Sequence, residues 1–256
     1  MTPVTQGLER GTSLFQKPSR FRVPILVAAR DFGLSLHMMR LLMTFLLILL
    51  AQATLAEDLP VLPAKEHAAW QAVGRVNAAG YRKREMCTGT LIAADTVLTA
   101  AHCVSGIDGL GPLPKEMTFV AGWLRGTAVD SIAGASIWVH PLAYAEGTLD
   151  VRYDVALLTL ERPSTVAPLP ISNTAPTAPY GIVAYSTRRP HMLSAGFSCD
   201  GQVISDLLRL DCAVIPGNSG GPVLIQSGDQ WEVAAVISAM GQTGALAVPV
   251  SRLTQP

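Results

Sequence analysis

"PGNSGGPV", Pro216 to Val223, sets one serine between an asparagine and two glycines, with an apolar run beyond it. Gly, Asn, Ser and Pro are the commonest turn formers, so an ordinary surface loop between two strands is one reading. What a single hydroxyl would need with so much permissive backbone around it is the question the stretch raises. The rest of the chain must answer it.

Outward from this loop the chain is written in short apolar runs. From about Trp70 onward these are "TGTLIAADTVLTAAH", "EMTFVAGW", "SIAGASIWVHP", "DVALLTL", "GIVAYS", "DLLRLDCAV", "GPVLIQS", "WEVAAVISAM" and "GALAVPVS". Most hold about four to eight apolar or β-branched residues between Gly, Pro, Asn and Asp, which predicts strands. Helical periodicity is scarce and best between Ala64 and Val73. Many short strands at close spacing predict an all-β protein built as an antiparallel barrel or sandwich. "ERPSTVAPLPISNTAPTAPYG", Glu161 to Gly181, holds five of the 18 prolines and no strand-length apolar run. It predicts a stiff spacer between two β-rich halves.

Two further stretches carry polar groups that ask for partners. In "CTGTLIAADTVLTAAHCV", Cys87 to Val104, His102 stands beside Cys103. A cysteine cross-link there would fix the backbone next to the histidine, as a general base requires. About 50 residues on, Asp154 opens the apolar run Val155–Leu160. A carboxylate at the mouth of a buried strand is costly unless it is hydrogen-bonded, and an imidazole would serve. Asp150 lies in more polar surroundings and reads as a solvated loop residue. His67, His140 and His191 read as structural or loop histidines.

Composition narrows the class. Lys+Arg and Asp+Glu balance at 19 each, and 49% of residues are hydrophobic against 15% charged, which gives no electrostatic footprint for nucleic acid. "HMMRLLMTFLLILLAQATLAEDLP", His37 to Pro60, reads as a secretory signal, with Arg40 before an apolar core and small residues after it. We expect residues 38–56 to form this signal, with cleavage after Ala56. Residues 1–37 then read as an extension ahead of a start at Met38, Met39 or Met43. The core is shorter than a membrane span, so no stable span is expected after cleavage; a retained anchor is the alternative. Cys87, Cys103, Cys199 and Cys212 behind such a signal argue for disulfides, and three connectivities are open. No zinc spacing is present, and neither metal nor cofactor is expected.

His102, Asp154 and Ser219 in that order, within "TAAHC", "WVHP"/"DVALL" and "GNSGGPV", resemble the chymotrypsin clan of trypsin-like serine proteases. Within the clan the chain is most similar to small secreted bacterial glutamyl-endopeptidase-like members. The resemblance runs from about Trp70 to Ser251. It implies two antiparallel six-stranded β-barrels, about 70–160 and 182–256, joined by the 161–181 linker with the active site in their cleft. It implies Ser219 as nucleophile, His102 as base and Asp154 as the carboxylate that orients the imidazole. Gly217 and Ser219 would supply the oxyanion-hole N–H groups, and Gly220 and Gly221 would let the chain pack behind the nucleophile. Cys87–Cys103 is expected as one disulfide. The second pair departs from the family: Cys199 and Cys212 flank "DGQVISDLLRLD", a hairpin-like segment leading into the Ser219 loop, and are expected to form a disulfide that braces it, two free buried thiols being the alternative.

The substrate-binding residues implied are Ala213 at the base of the primary pocket, with Ser238, Ala239 and Met240 along its wall and Ser238 supporting Asp154. Alanine at 213 offers no carboxylate for a basic side chain, and Ile237 stands where glutamyl endopeptidases carry a histidine. A preference for small or apolar residues is expected. Asn218 stands where digestive relatives carry the aspartate that pairs with a new N-terminus, so no activating clip is expected. The whole is then a secreted or periplasmic serine endopeptidase, monomeric, acting on protein or peptide substrates. The alternative is a catalytically idle homologue serving as a binding module.

Overall fold

The computed structural model describes residues 40, 58–79, 84–106, 111–241 and 244–254. The expected signal and cleavage site therefore lie outside the described residues, Arg40 apart, as do residues 1–37. Residues Thr54–Pro256 fall into one compact unit.

The first half supplies β1 (Val73–Ala79), β2 (Arg84–Ala93), β3 (Thr96–Thr99), β4 (Met117–Ala121) and β5 (Asp130–Val139). A small side hairpin follows, β6 (Tyr144–Ala145) with β7 (Thr148–Leu149), and then β8 (Ala156–Leu160). The six long strands pair in the order β1-β2-β3-β8-β5-β4 and close into a barrel, β4 returning to β1. Alternation explains why: in β4 Met117, Phe119 and Ala121 are buried, and in β8 Ala156, Leu158 and Leu160 are, each run having a residue of the other face between. A half-buried strand needs that period of two. Phe119, Leu91 and Val97, all fully buried, fill the interior. Each such side chain contributes roughly 1.5–3 kcal/mol by leaving water.

The second half holds β9 (Tyr180–Ser186), β10 (Arg189–Cys199), β11 (Gly201–Ile204), β12 (Leu207–Leu210), β13 (Pro222–Ser227), β14 (Gln230–Gly241) and β15 (Gly244–Pro249). These form a seven-stranded sheet in the order β10-β9-β13-β14-β15-β12-β11. The two edge strands, β10 and β11, are consecutive in the chain, separated only by Asp200. They act as one long bent strand, so the expected six strands become seven segments with the bend at Asp200. The Cys199–Cys212 disulfide and the Asp200 N–H bond to Asp211 Oδ1 (2.7 Å) pin that bend.

β9 shows no alternation because both of its faces are covered. Ile182 and Ala184 join the core of the second barrel, whereas Val183 and Tyr185 join the cluster that includes Phe119 and Leu158 of the first. Strands buried on both faces read as continuous apolar runs. Among the described residues the helical pieces are short. The segment Ala64–Val73 forms a 3₁₀ turn only to Trp70, since Val73 already opens β1. β11 and β12 form the hairpin that "DGQVISDLLRLD" suggests, whereas β1 and β10 were not legible as strands; their sequences are polar or broken, and their pairing partners decide them.

Candidate active site

β3 runs out at Thr99 into one helical turn, α1 (Ala101–Val104), which carries His102. The Cys87–Cys103 disulfide, with Cα atoms 6.1 Å apart, ties this turn to β2. Both sulfurs are buried, and the Cys103 Sγ lies 3.8 Å from His102 Nε2. Asp154 ends the 3₁₀ turn Val151–Tyr153 just before β8.

Asp154 is fully buried, and its carboxylate is met by three donors. His102 N–H donates to Oδ1 at 2.9 Å, and His102 Nδ1 lies 2.7 Å from Oδ2. The Ser238 hydroxyl also donates to Oδ2. An uncompensated carboxylate there would be strongly destabilising, so these contacts are what allow it to be buried. They also hold the imidazole in one tautomer, Nδ1–H toward the carboxylate, which makes Nε2 the unprotonated nitrogen. The neighbouring Asp150 instead caps the turn, accepting from Arg152 N–H at 3.0 Å and pairing with its guanidinium at 2.6 Å, which holds its carboxyl below the usual range.

The Ser219 loop is fastened to the first barrel through Thr88. Thr88 N–H donates to Ser219 O at 2.9 Å, and Thr88 Oγ1 donates to Gly217 O at 2.8 Å. Gly220, at φ +79°, leaves no room for a side chain: a Cβ there would stand 2.2 Å from both Thr88 O and Thr99 Oγ1. The loop is thereby pressed against the strand that leads into His102. The Ser219 hydroxyl makes no hydrogen bond among the described residues. In unliganded sites such bonds commonly tighten only when substrate arrives.

The 216–217 peptide has a fixed orientation. Pro216 O accepts from Thr187 N–H at 2.8 Å and from Thr187 Oγ1 at 3.1 Å. In a trans peptide the C=O and N–H point opposite ways. Tethering the carbonyl to Thr187 therefore turns the Gly217 N–H away from Thr187. Neither Gly217 N–H nor Ser219 N–H has an acceptor among the described residues. Two unengaged backbone donors flanking a serine form an arrangement suited to a developing oxyanion.

Asn218 is buried and satisfied at both ends of its amide. Its Nδ2 donates to Tyr185 O at 2.7 Å, and its Oδ1 accepts from Ile215 N–H at 2.8 Å. Ala213 sits between Cys212 and the buried Val214, and Cys212 is bonded to Cys199. Along β14, Ser238 is buried and turned to Asp154, Ala239 is partly covered, and Met240 is 61% exposed. A cleft of about 610 Å³ beside His102 is lined by Glu85, Ser105, Tyr144, Leu149 and Ser238. Burial pushes the Tyr144 phenol up, with Asp154 and Glu85 adding to it against the Ser105 hydroxyl, so it stays neutral.

Thr88, Thr187 and Tyr185 were not singled out in the sequence. Thr88 immediately follows Cys87 and is fully buried, but its partner lies 129 residues away. His67, His140 and His191 lie outside the site, on the turn before β1, after β5 and on β10. Two groups, Cys87/His102/Cys103 and Cys199/Asp211/Cys212, are close enough to suggest metal ligands. All four sulfurs are spent in disulfides, however, and have no thiolate to give.

The model of the family described as Trypsin matches residues 62–254. A trypsin of Saccharopolyspora erythraea is 32% identical over 141 residues, covering 53% of this chain and 54% of the relative. Serine protease 23 of Homo sapiens is 29% identical over 166 residues, covering 55% of this chain and 43% of the relative. The match thus spans about half the length of these curated relatives. Two solved structures share the fold. One is a thermostable serine protease, AL20, from an extremophilic microorganism, with a TM-score of 0.61 at 19% identity, covering 75% of this chain and 96% of the other. The other is the protease Anisep from Arthrobacter nicotinovorans, with a TM-score of 0.57 at 18% identity, covering 70% and 90%.

Proposed function

The chain belongs to the trypsin family, and we propose on that premise that it is a serine endopeptidase working through Ser219, His102 and Asp154. The observation that carries the reading is the buried Asp154 carboxylate bound at once by His102 N–H, His102 Nδ1 and Ser238.

In this reading the Ser219 hydroxyl attacks the scissile carbonyl while His102 Nε2 takes its proton. Asp154 holds the ring and stabilises the imidazolium. The oxyanion accepts from Gly217 and Ser219 N–H. His102 then protonates the leaving amine, and water repeats the sequence in reverse to free the acyl group.

The substrate preference we propose is a small or apolar residue ahead of the cleaved bond. No charged residue occurs in 213–219, 238–241 or 244–247, and Val214 and Ala245 belong to the apolar core of the second barrel. The β14–β15 hairpin pairs as far as Gly241 with Gly244, which keeps this wall short, and Met240 stands at its rim. We propose further that no activating clip beyond signal removal is needed, because the Asn218 amide already ties its loop to Tyr185 and Ile215. Secretion is supported by two disulfides and by the signal-like stretch. Among the described residues no helix is long and apolar enough to cross a membrane.

The test is labelling with a fluorophosphonate probe after expression into an oxidising compartment, with Ser219→Ala as control. Labelling lost in the variant is expected, followed by cleavage in a peptide library. A folded, disulfide-bonded protein that takes no label would overturn the reading and favour a binding module.

A further inference from the structure

The turn that presents Asp154 is capped at its start by Asp150, and Tyr153 N–H donates to Asp150 O at 3.0 Å, but its far end is held less firmly. It is a single three-residue 3₁₀ turn, and its closing bond, Asp154 N–H to Val151 O, is long at 3.4 Å. Such short turns are marginal without outside support. The support runs through Tyr153, the residue before Asp154. Its ring stacks on His140 at 4.9 Å and 23°, and Trp138 meets His140 edge-on at 5.8 Å. His140 is buried and anchored by its own N–H to Val155 O at 3.1 Å, one residue past Asp154.

A further contact on Tyr153 comes from the other barrel. Arg252 lies on the C-terminal 3₁₀ turn Val250–Thr254 that follows β15, and its guanidinium carbon sits 5.1 Å from the centre of the Tyr153 ring. Arg152, on the turn itself, sits 5.7 Å from the same ring and is held by Asp150. Arg252 is only 14% exposed and is bound at 2.9 Å by Asp206 in the β11–β12 turn. That ion pair is screened on the Asp206 side, which is 70% exposed, so it aims the guanidinium more than it adds energy. The cation over the ring, largely out of water, is the stronger contact.

We infer that Arg252 is a positioning residue that clamps the Asp154 turn of the first barrel to the second barrel, acting through Tyr153. This rests on the proposed role of Asp154. The proposed triad spans the cleft, so the distance from His102 to Ser219 depends on how the two barrels are held. Ser238 makes one tie across the cleft, at the carboxylate. Arg252 makes a second, at the turn behind it. With Arg252 removed, the turn keeps the Ser238 tie but loses the one behind it, and Asp154 presents a less firmly fixed acceptor to His102.

The experiment pairs Arg252→Met, which keeps length and apolar contact, with Arg252→Lys, which keeps the cation. Each rate is referred to sites titrated by the fluorophosphonate probe. Arg252→Met lowers kcat roughly tenfold with KM little changed, the scale expected when a reacting group is displaced by a fraction of an ångström. Arg252→Lys restores most of it. In parallel, the His102 Nδ1–H proton, observed by NMR through its bond to Asp154, exchanges faster with water in Arg252→Met. This readout needs no catalysis, so it separates failure of the clamp from failure of the protease assignment. Should Arg252→Met not fold, Asp206→Asn releases the same guanidinium from an exposed position, with a loss of about two- to threefold expected. Unchanged turnover per titrated site and unchanged proton exchange, with or without a lower Tm, would overturn the inference.

Discussion

Replacing Gly217 by alanine strikes the proposed oxyanion hole through one torsion. At φ +96° an L-residue is strained by about 1–2 kcal/mol before any contact is counted. The new Cβ would also lie 2.8 Å from Met86 Cε, Ser186 Cα and Thr187 N. The methionine tip can swing aside. Ser186 and Thr187 are backbone at the β9–β10 turn and cannot withdraw without disturbing that pairing. Against this combined strain stand the two hydrogen bonds that tether Pro216 O to Thr187, worth about 1 kcal/mol each in net terms. The strain wins, the 216–217 peptide rotates, and its N–H leaves the hole. Loss of one such donor costs about 10²–10³ in kcat, or roughly 3–4 kcal/mol of transition-state stabilisation. The assay is steady-state hydrolysis of a peptide substrate, with kcat and KM separated and near-UV circular dichroism as the check on folding. A folded variant whose kcat stays within about threefold of the wild type would refute the reasoning, because the hole would then not depend on this peptide.

Two other perturbations follow from buried polar groups. Asn218→Asp removes the donor that faces Tyr185 O and buries a carboxylate whose side-chain position is met by backbone groups, Tyr185 O and Ile215 N–H; we expect a loss of about 3–5 kcal/mol at pH 8 in urea unfolding, shrinking as the medium is acidified and the carboxyl protonates. Equal stability of the variant and wild type across that range would count against the role given to the Asn218 amide. His67, buried in the 3₁₀ turn before β1, is held below its ordinary value of 6.5 by burial first, against its bond to Leu62 O, with Arg125 adding to the lowering. The folded state therefore binds this proton less readily than the unfolded chain, so the stability it confers is complete above about pH 6.5 and falls as pH drops through that value. His67→Gln should flatten this part of the Tm–pH curve, and an unchanged slope would exclude His67 as its source.

Much of the site could be read before the fold was known. "TAAHC", "DVALL" and "GNSGGPV" are local strings in which a titratable or nucleophilic group stands at a strand end, and strand ends are visible as breaks in apolar runs. What could not be read is what holds these groups in place. Thr88 is an ordinary strand threonine until the Gly217 carbonyl arrives from 129 residues away. Thr187 is an unremarked turn residue until Pro216 O needs a donor, and Arg252 a C-terminal basic residue until the Tyr153 ring lies beneath it.

The same division runs through the fold. β4 and β8 declare themselves by alternation, and β9 by a continuous apolar run. β10 contains Pro190 and a polar first half, and it is a strand because β9 lies on one side and Val61 bridges to Ser194 on the other. The sequence by itself determined the all-β class and the two-half organisation, since each depends on side-chain pattern within a few residues, and its motifs named the groups proposed to do the chemistry. Tertiary structure alone decided the bend at Asp200, the aim of the Gly217 N–H and the bonds that pay for burying Asp154. Those depend on hydrogen bonds and ring contacts between residues far apart in the chain, and local sequence pattern carries no record of them.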